Sequence, residues 1–288
     1  MAQGCMRILK EGINTGWSAY NPNMEILAYP FMQKALLASF FAVFICAVAG
    51  TLVVVNRSVF ITGGVAHASY GGIGLALFLG FSPVVGALIL AAFMGVVLGL
   101  VRRKNEGKAD ALVSAFWAAG MAGGILLSDI NPGYKSDFLS YLFGSILVVS
   151  KTDLILTGLF AFLLVGLALK YYRVILAISA DQDYAATLGI NVRWINLIML
   201  VLLCLSVIML MRVAGLIMVM ALLSIPAAVA RAHTGKLSSA MVLSGVIAAL
   251  AIFGGLGISV FTNLTPGAVI VAVLALIYLC NILFTRTV

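Results

Sequence analysis

Val59–Gly80 reads VFITGGVAHASYGGIGLALFLG, a run with no acid, no lysine and no arginine. Wound as a helix rising 1.5 Å per residue, a run of this length crosses the roughly 30 Å hydrocarbon layer of a bilayer. Such a segment has no place on the surface of a soluble domain, and it marks the chain as a helical membrane protein. His67 lies near its middle, and an ionisable side chain within a membrane span marks a functional site by default. Gly63, His67, Gly71 and Gly74 share one helical face at three- and four-residue spacing. Together with Gly64, the small residues either admit a second helix at close range or leave a polar gap beside the imidazole. Ser69 and Tyr70 add hydroxyl groups nearby. These six positions, His67, Gly63, Gly64, Ser69, Tyr70 and Gly71, are the expected lining of a pathway or gate. A metal contact there would be transient and would centre on His67, since stable sites use about four ligands.

The rest of the chain agrees with that reading. Of 288 residues, 64% are hydrophobic and only 9% charged, with a mean hydropathy of +1.20. Soluble domains carry about 25% charged residues, so a soluble enzyme or a nucleic-acid-binding module is excluded. Besides Val59–Phe81, apolar runs of spanning length occupy Ala35–Val55, Val84–Val101, Ala109–Ser128, Leu154–Tyr171, Trp194–Met211, Ala214–Ala230, Ala240–Gly257 and Gly267–Phe284. The expectation is an all-α polytopic membrane protein of nine transmembrane helices, bracketed between eight and ten. Phe138–Val149 is apolar but too short to span and reads as re-entrant or interfacial. Residues 1–30 read as an interfacial, extracytoplasmic segment, with Trp17, Tyr20 and Tyr29 suited to the headgroup level. They lack the cationic start and apolar stretch of a signal peptide. Residues 31–288 form the transmembrane domain.

The net charge of +8 has a topological explanation. With the 102–108 loop placed in the cytoplasm, Arg57, Arg102, Arg103, Lys104, Lys108, Lys170, Arg173, Arg193, Arg231, Lys236 and Arg286 fall inside. Arg7, Lys10, Lys34, Lys135, Lys151 and Arg212 fall outside. That bias predicts a cytoplasmic C-terminus in a multi-pass protein of the cytoplasmic membrane. One cytoplasmic loop, Ile178–Trp194, stands apart. Asp181 and Asp183 precede an alanine-rich turn that closes on Gly189, the signature of a short capped helix. Such a helix could be gripped by a soluble partner, or it could be a solvated connection.

Chemistry elsewhere is sparse. Asp110, Asp129, Asp153 and Arg212 sit at expected helix ends, where capping or snorkelling accounts for them. His233 reads as a solvated turn residue, and Cys46, Cys204 and Cys280 as small apolar fillers. Met209, Met211, Met218 and Met220 suit irregular packing better than a soft-metal site. The chain has no G-x-x-x-x-G-K-[ST], so it carries no P-loop, and no H-E-x-x-H or G-x-S-x-G. It also lacks the intramembrane carboxylates of an ion relay.

Three segments carry a family resemblance. YPFMQKALLASFFAVFICAVAG (29–50) is similar to the opening of permease subunits of the zinc/manganese/iron ABC importer family, the ABC-3 family. DFLSYLFGSILVVSKTDL (137–154) resembles its external loop. The stretch from Leu188-Gly189-Ile190 through Arg212-Val213-Ala214-Gly215 to ALLSIPAAVAR (221–231) resembles its central signature. The resemblance implies a type II (vitamin B12-type) ABC importer permease that moves zinc, manganese or iron inward by alternating access. It implies no enzymatic activity and no permanently bound cofactor in this chain, with ATP and Mg²⁺ on a separate ATPase subunit. The implied partners are that ATPase, an extracytoplasmic metal-binding protein, a second permease copy (identical or paired) and the lipid bilayer. The 178–194 loop becomes the coupling loop, with Asp181, Asp183, Ala185, Leu188 and Gly189 at the ATPase. In one respect the chain departs from the pattern. The family commonly reads D-A-L-S-H-A where this chain has Gly63-Gly64-Val65-Ala66-His67-Ala68, so the histidine is kept and the aspartate is Gly63. That departure leaves a metal chelate (siderophore, haem or cobalamin) as an alternative cargo, with an ATPase-independent secondary carrier as a third reading.

Overall fold

In a computed structural model, residues 29–102, 106–130, 149–262 and 264–285 are described, and their regular structure is entirely helical. The long helices are α1 (Pro30–Val55), α2 (Val59–Leu79), α3 (Pro83–Arg102), α4 (Glu106–Ile130) and α5 (Lys151–Lys170). Two short helices follow, α6 (Tyr172–Ala180) and α7 (Gln182–Thr187). The chain ends with α8 (Val192–Ala214), α9 (Leu216–His233), α10 (Leu237–Thr262) and α11 (Pro266–Thr285). The expected interfacial segment up to residue 28 and the expected re-entrant stretch up to residue 148 lie outside the described residues, as do Arg103 and Lys104.

Among the described residues, eight helices are long and apolar enough to cross a membrane. The ninth expected span, α2, is also a 21-residue helix, but its glycines, His67, Ser69 and Tyr70 lower its hydropathy. It can be less apolar because protein surrounds it: α2 packs against α3, α4, α8 and α9. Large apolar side chains instead face outward on the peripheral helices, among them Phe40, Phe44, Leu159, Phe162, Leu250 and Leu276. In a hydrocarbon solvent that exposure carries no penalty. Of the three membrane cysteines, Cys46 and Cys204 are buried as expected, whereas Cys280 is on the exposed side of α11.

Glycine sets how closely the centre packs. A Cβ on Gly74 would lie 2.8 Å from the Gly124 Cα, and one on Gly71 3.0 Å from the Gly120 Cα, so α2 and α4 touch backbone to backbone. On the adjoining face, a Cβ on Gly72 would lie 2.5 Å from the Gly86 carbonyl oxygen of α3. Such contacts are how membrane helices gain dispersion energy without a hydrophobic drive between them.

Two irregularities place the neighbouring helices. Within α1, Cys46–Gly50 widens into a single π turn, and Gly50 there leaves room for the Leu223 carbonyl, 2.8 Å from where its Cβ would stand. Leu223 belongs to α9 just ahead of Pro226. That proline has no N–H to offer the carbonyl four residues back, which loosens α9 at this level. The other irregularity is Gly215, the one residue between α8 and α9, with φ 79° and ψ 165°. That region of backbone space is open essentially to glycine alone.

Candidate functional site

His67 occupies the middle of α2 and is half-buried. Its Nδ1 lies 2.8 Å from the Gly63 carbonyl oxygen. A carbonyl can only accept, so Nδ1 carries a proton, and in the neutral imidazole that metal binding requires the lone pair is then on Nε2. The imidazole stacks on the Trp117 indole of α4, with ring centroids 4.2 Å apart and planes 26° apart. Trp117 therefore fixes the ring plane while Gly63 fixes the tautomer. Sequence reading missed Trp117, because nothing in the α4 segment ties it to a helix two spans away in the chain order of the fold.

The expected lining separates into two groups. Gly63 and His67 stay together on one side of α2, and Gly71 meets α4 as described. Gly64 faces Val113 of α4. The Ser69 hydroxyl donates to the Ala66 carbonyl at 2.6 Å, and its oxygen lies 3.5 Å from the Met211 sulfur of α8. Ser69 and Tyr70 are thus buried within the packed interior. Gly63 in turn faces α9: a Cβ there would lie 2.7 Å from the Met220 methyl and 3.4 Å from its sulfur. Among the described residues no three His, Cys, Asp or Glu side chains converge as a metal site.

A charged pair sits elsewhere, at one end of the bundle. Arg212, in the last turn of α8, bridges to Asp153 in the first turn of α5. Each helix dipole favours the charge it carries there. Both side chains are largely buried, so the two helix-end charges anticipated separately are a single ion pair. Sequence spacing holds no sign of it, since 59 positions of chain separate the partners.

At the opposite end, the 178–194 segment folds as expected into a short capped helix. The Asp181 Oδ1 accepts from the Asp183 and Tyr184 amides at 2.9 and 3.1 Å, capping α7. Gly189, at φ 77°, reverses the chain after it. Ala185 is buried, and the Gln182 side chain accepts from the Asn196 amide of α8 at 3.1 Å. The outward surface of α7 presents Tyr184 and Leu188, both exposed. Beside it lies a polar cavity of about 840 Å³ between the α1–α2 turn, the end of α3 and the start of α8, lined in part by Arg57, Arg102 and Arg193. Arg102 closes the α1–α2 turn, donating to the Ser58 hydroxyl and the Asn56 carbonyl, both at 2.6 Å. His233 ends α9 at an exposed position near Asn281.

A multi-pass helical membrane protein built round one polar-centred helix, with an anchored helix exposed at one end, is the class these features define. The chain belongs to the ABC 3 transport family, whose model matches residues 28–285. A membrane protein of Synechocystis is 40% identical over 281 residues, 98% of this chain and 100% of that one. A Chlamydia pneumoniae protein named as a metal transport system membrane protein is 32% identical, over 88% of this chain and 89% of its own. The manganese transport system membrane protein of Listeria monocytogenes is 29% identical, over 90% and 92%. Among solved structures, PsaBC from Streptococcus pneumoniae in complex with Fab superposes with a TM-score of 0.79 at 25% identity, covering 90% of this chain and 94% of that one. A metal-chelate type ABC transporter in an inward-facing conformation superposes at 0.72 and 15% identity, covering 93% and 90%. The chain has the type II ABC importer permease fold that its sequence led us to expect.

Proposed function

We propose that this chain is the membrane-spanning subunit of an ATP-driven importer carrying a divalent metal ion, zinc, manganese or iron, inward across the cytoplasmic membrane. The observation that carries the reading is His67: a half-buried imidazole in the central helix, with Nδ1 committed to Gly63 and the Nε2 lone pair left for a cation. Neutral imidazole suits zinc and iron, and a lone donor is weak enough to release its ion. The relatives named for metal or manganese transport support the cargo. Gly71, Gly72 and Gly74 are closed by the backbones of α3 and α4, which leaves no wide glycine-lined path for a chelate and favours a bare ion.

In this reading the C-terminus is cytoplasmic, α7 faces the cytoplasm, and an ABC ATPase holding ATP and Mg²⁺ grips it there. ATP binding and hydrolysis in that partner rock the bundle, while an extracytoplasmic metal-binding protein delivers the ion from the far side. A second permease copy completes the path beside His67. Asp181, Asp183, Ala185, Leu188 and Gly189 shape and anchor the gripped helix, and Tyr184 and Leu188 supply its apolar contact.

Two experiments test this. In proteoliposomes holding the permease, its ATPase and its binding protein, His67→Ala is expected to lower metal uptake at least about tenfold, since even losing a group that only supports a metal ligand costs about that much, at unchanged membrane abundance. Unchanged uptake at every metal concentration would remove His67 from the pathway. Separately, Tyr184→Glu combined with Leu188→Glu is expected to abolish co-purification of the ATPase while the thermal midpoint of the permease stays put. Both residues are exposed, and surface changes shift stability by only about 0.5 kcal/mol.

A further inference from the structure

We infer that Met220 is the partner donor of His67, and that this thioether–imidazole pair makes the pathway prefer borderline and soft cations such as zinc over hard ones such as manganese. The inference rests on the proposed reading of His67 as a pathway residue and adds what selects among ions there.

Met220 reaches the site because Gly63 has no side chain. Its methyl and sulfur stand 2.7 and 3.4 Å from where a Gly63 Cβ would be. The same Gly63 offers its carbonyl to His67 Nδ1. Residues four apart on a helix have Cβ atoms about 6 Å from each other, so the thioether and the imidazole occupy neighbouring positions on one side of α2. Met220 is also distinguished among its neighbours. Met209, Met211 and Met218 are 7%, 3% and 2% exposed, and Met211 is engaged by Ser69. Met220 alone of the four is half-buried, so it alone has an open side. Its backbone is held in place by the Ser224 hydroxyl, which donates to the Met220 carbonyl at 2.6 Å.

The electrostatics point the same way. Asp110, Asp129, Asp153, Asp181 and Asp183 all lie near helix ends, so no described carboxylate accompanies His67 in mid-span. A cation at that level meets neutral donors, one nitrogen and one sulfur. Carboxylate and water ligands suit manganese, imidazole suits zinc, and thioethers favour softer ions still. Replacing an oxygen donor with sulfur therefore costs a hard ion more than a borderline one.

The test uses the complete importer in proteoliposomes, with the binding protein preloaded with zinc or with manganese so that delivery is matched. Met220→Leu keeps the volume and removes the sulfur, an exchange that folded cores tolerate. It is expected to lower the ratio of zinc to manganese transported about tenfold. Gly63→Asp supplies a hard oxygen donor and displaces only the far end of the flexible Met220 side chain. It is expected to move the ratio toward manganese by adding an oxygen donor and pushing the thioether aside, an arm that holds even if Met220→Leu expresses poorly. An unchanged ratio in both variants, or an equal fall for both metals in Met220→Leu, overturns the inference and leaves Met220 as packing. If His67→Ala also transports both metals normally, the pathway reading itself fails. If His67→Ala is impaired while the ratios stay fixed, only the role of Met220 fails.

Discussion

Gly120→Ala is expected to destabilise the protein by about 3 kcal/mol, the upper end for forcing extra volume into a packed interior. The added Cβ would stand 2.5 Å from the Ala68 carbonyl oxygen and 2.6 Å from the Ala68 Cα. Both are backbone atoms of α2, so no side chain can swing aside and the two helices must part. The parting falls next to the stacked pair, since His67 precedes Ala68 and Trp117 lies one turn before Gly120. Transport should therefore fall along with the thermal midpoint in detergent. Gly123→Ala is the control: three residues on, a Cβ meets nothing within 4 Å. There the substitution should gain roughly 1 kcal/mol, the helix-propensity difference between alanine and glycine. Opposite signs from the same chemical change on the same helix would establish that the α2–α4 contact, and not glycine content, governs stability. Equal effects would sink that account.

Asp153→Ala is expected to cost about 3–5 kcal/mol, because it removes the carboxylate that bridges the Arg212 guanidinium in a largely buried place. The bridge itself is a weak source of stability, since both ions give up water to form it. Truncating one partner is what costs. The double variant Asp153→Ala with Arg212→Met should accordingly recover most of the loss, and thermal melts of the two single variants and the double variant in detergent measure it. If the double variant is as unstable as the sum of the singles, the two residues act independently and the ion pair carries no coupling.

The architecture was legible in the sequence because bilayer physics writes it in plain terms. Runs such as Val84–Val101 and Ala240–Gly257 can only be spans, and their helices appear as α3 and α10, longer by a few residues. The cap of α7 was legible too, since Asp181 and Gly189 are local signals for a helix start and stop. What could not be read was anything that depends on which helices touch. Spacing placed Gly63, His67, Gly71 and Gly74 on one face and left their partners open. The fold sends Gly71 and Gly74 to α4 but gives Gly63 to Met220 of α9. Trp117 and the Asp153–Arg212 pair were hidden for the same reason, as contacts between spans remote in sequence. Met220 looked like one of four equivalent methionines until burial separated it from the rest.

The single-residue joint at Gly215 has a mechanical consequence. Longer loops absorb displacement, but a one-residue connection has only two soft torsions and no slack. α8 begins beside α7, to which the Asn196–Gln182 hydrogen bond ties it, and its 23 residues run roughly 34 Å to that joint. In the proposed importer, a displacement imposed at the α7 end would reach this pin with no loop to take it up before α9. Met220 lies five positions beyond the pin, so the lever's output falls on the side chain that faces Gly63. A longer linker at Gly215 would leave both helices intact and disconnect the drive from the load.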